Sequence, residues 1–472
     1  MADKRLDVGP PADRSTDPDP PAPDEPASDA PVSDAPVSDA PALRDEPDRP
    51  LTRSDQVLAR YGTDMRRARI VYFAVIAVVL AALAAWVGIA WSRGEISHAS
   101  LQTFAPPPPS VGVEAASETQ QQAWRTGDRI ALGVPQWGGT IVTYSTHTVG
   151  GRDAKTGART WSYTRTDRQV CTAAQLTGTT IAVYANKGNC DELSAFDSDT
   201  GRRRWSRTLD MDGMPLNGRP SYQVTPYTML LSSSAVIYAI DPVTGYNRWT
   251  YTRYGCTIHR VVLGGVGALI SQTCSDRVNC KDLKFCARGA QLTLRNGSDG
   301  RDDDKPNADK IIWNLVGDRD VPVSADDQLV SAVSPDGTIL HVLDPHKGKR
   351  TASITLSPVT SRLGPVTAVA TDPGEIVWLA GQTYAISAGQ KPLWQSDSTA
   401  PPTVVSTTGD AVPVLSTARI TVPTNTGVGI LDGNDGQLIQ SFRVPAPRPD
   451  SLVYPLGTGF LVAGPSGIVA YR

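Results

Sequence analysis

Short apolar runs separated by turn residues recur from about residue 120 to the end of the sequence, and three of them share one pattern. Residues 149–161 read Val-Gly-Gly-Arg-Asp153-Ala-Lys-Thr156-Gly157-Ala-Arg-Thr-Trp161. Residues 193–205 read Leu-Ser-Ala-Phe-Asp197-Ser-Asp-Thr200-Gly201-Arg-Arg-Arg-Trp205, and residues 237–249 read Ile-Tyr-Ala-Ile-Asp241-Pro-Val-Thr244-Gly245-Tyr-Asn-Arg-Trp249. Each is an apolar strand, then Asp-x-x-Thr-Gly, three residues and Trp, repeated every 44 residues. The apolar alternation around Val236–Ile240 predicts a half-buried strand. The Asp carboxylate can accept backbone N–H groups within the turn, and Gly157, Gly201 and Gly245 can take positive φ there. A Trp once per unit is well placed to seal one repeat against the next. Four short strands in about 40–45 residues is the period of a propeller blade.

Fainter copies extend the array. Leu343-Asp344-Pro-His-Lys347-Gly348 keeps the turn but has Ala352 where Trp is expected. Tyr384-Ala-Ile-Ser-Ala-Gly389 leads to Trp394, and Leu431-Asp432-Gly-Asn-Asp435-Gly436 leads to Gln440. A degraded unit with an insertion ends at Trp313. The chain finishes on Gly467-Ile-Val-Ala-Tyr471-Arg472 with no Trp strand after it, and Gln122-Ala-Trp124-Arg125 is such a strand with no partner before it. Joining the two closes a ring of eight blades. The expectation is an all-β, eight-bladed β-propeller over residues 120–472, with inter-blade docking by Trp124, Trp161, Trp205, Trp249, Trp313 and Trp394. The interfaces at Ala352 and Gln440 are expected to be looser.

A different hydrophobic pattern precedes the propeller. Residues 70–91 are 22 consecutive uncharged, mostly aliphatic positions, about 33 Å of helix at ~1.5 Å per residue. This predicts a transmembrane helix. Its position, 69 residues into the chain, and the lack of a small-residue cleavage site argue against a signal peptide. Arg53, Arg60, Arg66, Arg67 and Arg69 precede it in a basic segment, residues 51–69, and only Arg93 follows closely. The positive-inside rule then predicts a cytoplasmic N-terminus, a cell-membrane location and an extracytoplasmic propeller. Residues 92–119 are expected to be a linker, with Ala105-Pro-Pro-Pro-Pro109 as a semi-rigid spacer. Residues 1–50 hold 12 prolines, 13 acidic and 5 basic residues and no aromatic one. This composition predicts a disordered tail. Setting aside the tail and the basic segment, residues 70–472 carry a net charge of +2, which gives no footprint for nucleic acid.

All six cysteines (Cys171, Cys190, Cys256, Cys274, Cys280, Cys286) follow the apolar run, an even count that reads as disulfides on the exported side. Cys171 and Cys190 are 19 apart, and Cys256 and Cys274 are 18 apart. Each pair begins 7–10 residues after a repeat Trp. The expected pairings join the first two strands of blades 2 and 4, with Cys280–Cys286 closing a small loop.

The Asp-x-x-Thr-Gly-x-x-x-Trp motif at Asp153–Trp161, Asp197–Trp205 and Asp241–Trp249 resembles the tryptophan-docking repeat of the quinoprotein-dehydrogenase-like (PQQ-like) eight-bladed propellers. That superfamily includes quinone-dependent alcohol dehydrogenases and a non-enzymatic scaffold lipoprotein of outer-membrane assembly. The resemblance implies that each Trp docks between adjacent blades. WD-type propellers share the period, but their Gly-His and Trp-Asp dipeptides are missing. The quinone enzymes carry a vicinal disulfide, a calcium site and a catalytic carboxylate, and no two cysteines are adjacent here. The chain resembles the membrane-anchored, non-enzymatic branch, and its Ala/Arg/Asp/Pro-rich composition resembles that of high-GC actinobacteria. In mycobacteria and their relatives, anchored propellers of this look are linked to envelope lipoglycan assembly.

Other chemistry is sparse. The chain has no Gly-x-Ser-x-Gly elbow, phosphate loop or His-Glu-x-x-His. His98, His147 and His259 are scattered. His341 and His346 flank the Asp344 turn and are expected to line it in solvent rather than bind metal. The acidic stretch Asp299-Gly-Arg-Asp302-Asp303-Asp304 does not match a calcium loop and reads as a solvated insertion. No catalytic residue, cofactor or metal is therefore expected. The leading reading is a membrane-tethered, non-catalytic protein- or ligand-binding scaffold in cell-envelope biogenesis, with other envelope membrane proteins as its partners. The alternatives are a ligand sensor signalling through the cytoplasmic tail and a quinone- or metal-dependent oxidoreductase.

Overall fold

The computed structural model describes residues 53–93, 95–106, 120–133, 139–176, 178–209, 220–225, 228–253, 255–275, 288–296, 311–326, 329–356, 366–379, 381–387, 391–405, 415–448, 450–456 and 459–472. The N-terminal tail of residues 1–50, the end of the proline spacer, Cys280, Cys286 and the acidic stretch at 299–304 lie outside these residues. The chain divides into two compact units, Met1–Leu83 and Ala84–Arg472.

The apolar run lies within one long helix, Arg53–Arg93. Its segment Arg69–Ile89 is long and apolar enough to cross a membrane, and none of that segment is buried. The basic stretch before the run is part of the same helix rather than a separate element.

Among the described residues the strands form eight antiparallel sheets. Six follow the chain as four-strand meanders. Blade 2 runs through Gln169–Leu176, Thr179–Asn186, Asn189–Asp197 and Arg203–Thr208. Blade 8 takes Leu452–Leu456, Gly459–Gly464 and Gly467–Tyr471 from the end of the chain and Gln122–Thr126 from its start. Trp124 pairs there with Ala470, which is the closure expected from the two incomplete ends.

Each of eight apolar clusters spans one blade-to-blade interface, from Trp161 and Tyr184 between blades 1 and 2 to Leu461 and Ile141 between blades 8 and 1. This corrects the half-buried strand expected at Val236–Ile240. All five of its residues are buried. Val236, Tyr238 and Ile240 face blade 2, whereas Ile237 and Ala239 face blade 4. The alternation is real, but both of its faces are interior because a blade has a neighbour on each side.

Blade 1 departs from the pattern. It contains Arg129–Ile130, Thr140–Tyr144, Thr148–Asp153 and Arg159–Arg165, plus a fifth, outermost strand, Ala99–Thr103. That strand pairs antiparallel with the fourth, Ala99 opposite Arg165 and Thr103 opposite Trp161. The Thr166 N–H donates to His98 O at 3.0 Å and the Phe104 N–H to Thr160 O at 2.8 Å, tying down both of its ends. Part of the segment expected to be linker is thus a component of the propeller. Ala-Ser-Leu-Gln-Thr carries no repeat signature, and an open sheet edge supplies its order.

Candidate interaction surface

The repeat residues build the girdle that holds the ring. At Asp153, Oδ1 accepts the N–H groups of Lys155 (2.6 Å) and Thr156 (3.0 Å). Asp197 and Asp241 do the same for the residues two and three places on. The Gly157, Gly201 and Gly245 N–H groups then return to the Asp carbonyl, with φ of 72°, 71° and 74°. A Cβ at any of these glycines would lie 2.5–2.6 Å from a tryptophan ring of the preceding blade, Trp124, Trp161 and Trp205 respectively.

Each ring also donates its indole N–H to the carbonyl just after the turn Asp of the next blade. The acceptors are Ala154 for Trp124 (3.2 Å), Ser198 for Trp161 (2.8 Å) and Pro242 for Trp205 (3.2 Å). Trp313 and Trp394 make the same contact with Pro345 (3.0 Å) and Gly433 (2.9 Å), over Gly348 and Gly436. Trp249 differs: Arg295 stacks on its ring at 4.0 Å, and its N–H has no partner among the described residues. The interfaces without Trp are filled by other means. Ala352 packs against a buried cluster joining blades 5 and 6. Beside Gln440, Phe442 and Phe460 meet at 5.5 Å between blades 7 and 8.

Cys171 is bonded to Cys190 and Cys256 to Cys274. The second pair joins facing residues of the first two strands of blade 4. The first instead joins strands one and three of blade 2, because Cys171 sits at a bulge between Val170 and Thr172. Both lie at the end of the propeller opposite the Asp turns. Non-reducing peptide mapping is expected to recover these two linkages, and a Cys190–Cys256 peptide would contradict the fold.

A cleft of about 260 Å³ opens at that same end, lined by Arg165, Asp167, Arg168, Asn186, Glu192 and Ser206–Thr208. Arg165 is fully buried and reaches Glu192 at 2.6 Å and Asp167 at 2.8 Å, and Arg168 holds the second Glu192 oxygen at 3.0 Å. The Arg165 hydrogen bond holds the Asp167 carboxyl below its ordinary range. Both carboxylates are thus engaged by guanidinium groups, which suits a fixed charge pattern better than proton transfer.

The histidines do not converge. His147 contacts Arg168 O (2.7 Å) and His259 contacts Thr273 (2.7 Å). His98 ends the short helix Glu95–His98. His346 is exposed in its turn, but His341, expected in solvent, is buried on the third strand of blade 5, 3.0 Å from Ser353 and 3.7 Å from Asp320. Among the described residues no three His, Cys, Asp or Glu side chains could hold a metal ion. Exposed apolar side chains on the propeller include Leu101 and Phe104 beside blade 1, Leu393 on blade 6, Leu438 and Ile439 on blade 7, and Val243 and Tyr246 in the Asp241 turn of blade 3.

Residues 111–351, just over half the chain, match the family described as outer membrane protein assembly factor BamB. The chain belongs to this family. Solved structures similar to it include BamB from Moraxella catarrhalis, 15% identical with a TM-score of 0.43 over 75% of this chain and 97% of that one. The computationally designed Ika8 protein is 11% identical with a TM-score of 0.49, covering 74% and 98%. The C-terminal WD40 domain of Sif2 is 11% identical with a TM-score of 0.46, covering 75% and 98%. No curated protein sequence matches the chain. The match ends within blade 5, at residue 351.

Proposed function

We propose that this chain is a membrane-tethered, non-catalytic scaffold that binds proteins during cell-envelope assembly. Membership of the assembly-factor family, from the match over residues 111–351, carries the reading. The apolar helix supports the tether, and holding the propeller close to one bilayer raises its effective concentration for partners there. The arginines before the helix favour a cytoplasmic N-terminus in the cell membrane, and the two disulfides suit an oxidising exterior. The ion-paired cleft and dispersed histidines favour recognition over catalysis. At the finer level, we assign the process to envelope lipoglycan assembly.

Affinity purification of the full chain from cross-linked membranes tests this. Enrichment of membrane glycosyltransferases or lipid transporters is the expected result, and an interactome without envelope-assembly proteins would remove the reading. Deleting residues 1–50 separates the scaffold from a sensor: function is expected to survive in a scaffold and to be lost in a sensor.

A further inference from the structure

Very little chain joins the apolar run to the propeller. Ala84–Ile89, the last residues of the run, belong to the same compact unit as the blades. His98 follows Ile89 by nine residues, and the helices Arg53–Arg93 and Glu95–His98 take up eight of them. At ~1.5 Å per helical residue and about 3.5 Å for the one left over, the reach is roughly 16 Å. A fully extended chain would give about 30 Å. The next residue, Ala99, is already paired with Arg165 in blade 1. The prolines at 106–109 come after this strand, so they cannot act as a spacer between the apolar run and blade 1.

The tether enters at one corner of the propeller. The Thr166 N–H donates to His98 O at 3.0 Å, the Arg165 N–H to His147 O at 2.9 Å and the Val170 N–H to Thr146 O at 2.7 Å. The turn of blade 1 around Thr146 therefore lies beside His98. From there the strand Thr148–Asp153 runs to the Asp153 turn, about 20 Å further on at ~3.3 Å per residue. The cleft opens at the same corner, and past Asn186 in its wall the second hairpin of blade 2 turns at Lys187 and Gly188. Lys187 is exposed and holds φ of 50°, a left-handed backbone that Asn or Gly adopts at lower cost. The cleft carboxylates Asp167 and Glu192 are held by Arg165 and Arg168, so neither neutralises the Lys187 ammonium.

We propose that this corner of blades 1 and 2 docks on the headgroup layer of an anionic phospholipid bilayer, with Lys187 meeting lipid phosphates and the Asp153 turn held away. The headgroup layer takes up about 5–8 Å of the reach on each side of the hydrocarbon core. The corner is then within about 10 Å of the lipid phosphates, about one Debye length, where a lysine is drawn to an anionic surface. The inference rests on the tether reading, because a propeller free of the membrane has no reason to present this end to it.

The test places the full-length protein in phosphatidylglycerol nanodiscs with a benzophenone amino acid in place of Thr146 or, for comparison, of Lys155 in the Asp153 turn. Both positions are exposed. After irradiation, lipid adducts are quantified by peptide mass spectrometry. Adducts at Thr146 should exceed those at Lys155 at least tenfold. Lys187→Gln should lower the Thr146 yield about fivefold, the effect of removing one lysine near an anionic surface. Lys187→Asn, which suits the backbone there, should do the same and serves if the glutamine variant misfolds. Equal yields at the two positions overturn the proposal, and so does an unchanged Thr146 yield in the Lys187 variants. Retention of the wild type in washed nanodiscs reports on the helix separately. A retained protein without Thr146 adducts removes this proposal and leaves the tether intact, whereas a protein that washes out removes both.

Discussion

Trp161→Ala is expected to destabilise the propeller by about 3–5 kcal/mol, the range for removing a buried aromatic side chain. Trp161 is fully buried, packs against Phe196 at 6.0 Å, and donates its indole N–H to Ser198 O at 2.8 Å. All of these contacts except its own strand pairing are made to the next blade, so the loss falls on the interface between blades 1 and 2. Against a typical total of about 5–15 kcal/mol, such a loss is large. Gly201→Ala should reproduce much of it from the other side of the contact. The added Cβ would lie 2.5 Å from the Trp161 ring, on a backbone with φ of 71°. Gly127→Ala, whose Cβ would meet nothing within 4 Å, is the control and should be near neutral. Denaturant unfolding followed by tryptophan fluorescence and circular dichroism measures all three. A Trp161→Ala protein that melts like the wild type would mean that docking does not hold the ring.

Glu375→Gln is expected to stabilise the protein at neutral and alkaline pH. Glu375 is the second residue of the second strand of blade 6, Gly374–Leu379, and is wholly buried. Burial raises its carboxyl from 4.5 to about 7, opposed by hydrogen bonds from Ser324 and Ser331 and assisted by the nearby Asp326. The Ser331 hydroxyl donates to Oε1 at 2.9 Å, while Oε2 has no hydrogen-bond partner among the described residues. The folded state therefore binds the proton more tightly than the unfolded chain does. Below about pH 4.5 both states are protonated and the site opposes folding least. As the pH rises towards about 7 the unfolded chain ionises first, stability falls, and above that value the loss levels off. The variant should match the wild type near pH 4.5 and exceed it by on the order of 2–3 kcal/mol at pH 8. Melting curves across this range check the prediction, and a gap independent of pH would show that Glu375 does not titrate as its burial requires.

The fold was largely legible because a propeller repeats. Asp153, Asp197 and Asp241 close one turn three times, and a 44-residue period leaves few architectures that could satisfy it. Degraded copies could be placed by register even where the Trp was gone: Ala352 pairs with Val342 and Gln440 with Ile430, each beside a bulge like that of the Trp-bearing blades. The looseness expected at those two positions could not be judged from the motif, because Phe442, Phe460 and the blade 5–6 cluster lie outside it. The fifth strand was hidden for a related reason. Ala99–Thr103 is ordered by the edge it meets rather than by its own pattern. His341 was misplaced because a histidine three residues before the turn Asp344 can face solvent or the neighbouring blade, and only the sheet register chooses.

The sequence by itself determined the repeat, the turn chemistry, the closure of the ring and the apolar helix, since each depends on residues close together in the chain or on a strict period. Tertiary structure alone decided which distant groups meet the buried charges. Arg260, on the first strand of blade 4, donates to the Val366 carbonyl 106 residues away, and Glu375 meets Ser331 across a blade interface 44 residues away. Neither pairing has a local signature, because the cost of burying a charge depends on every group around it, and those groups come from different blades.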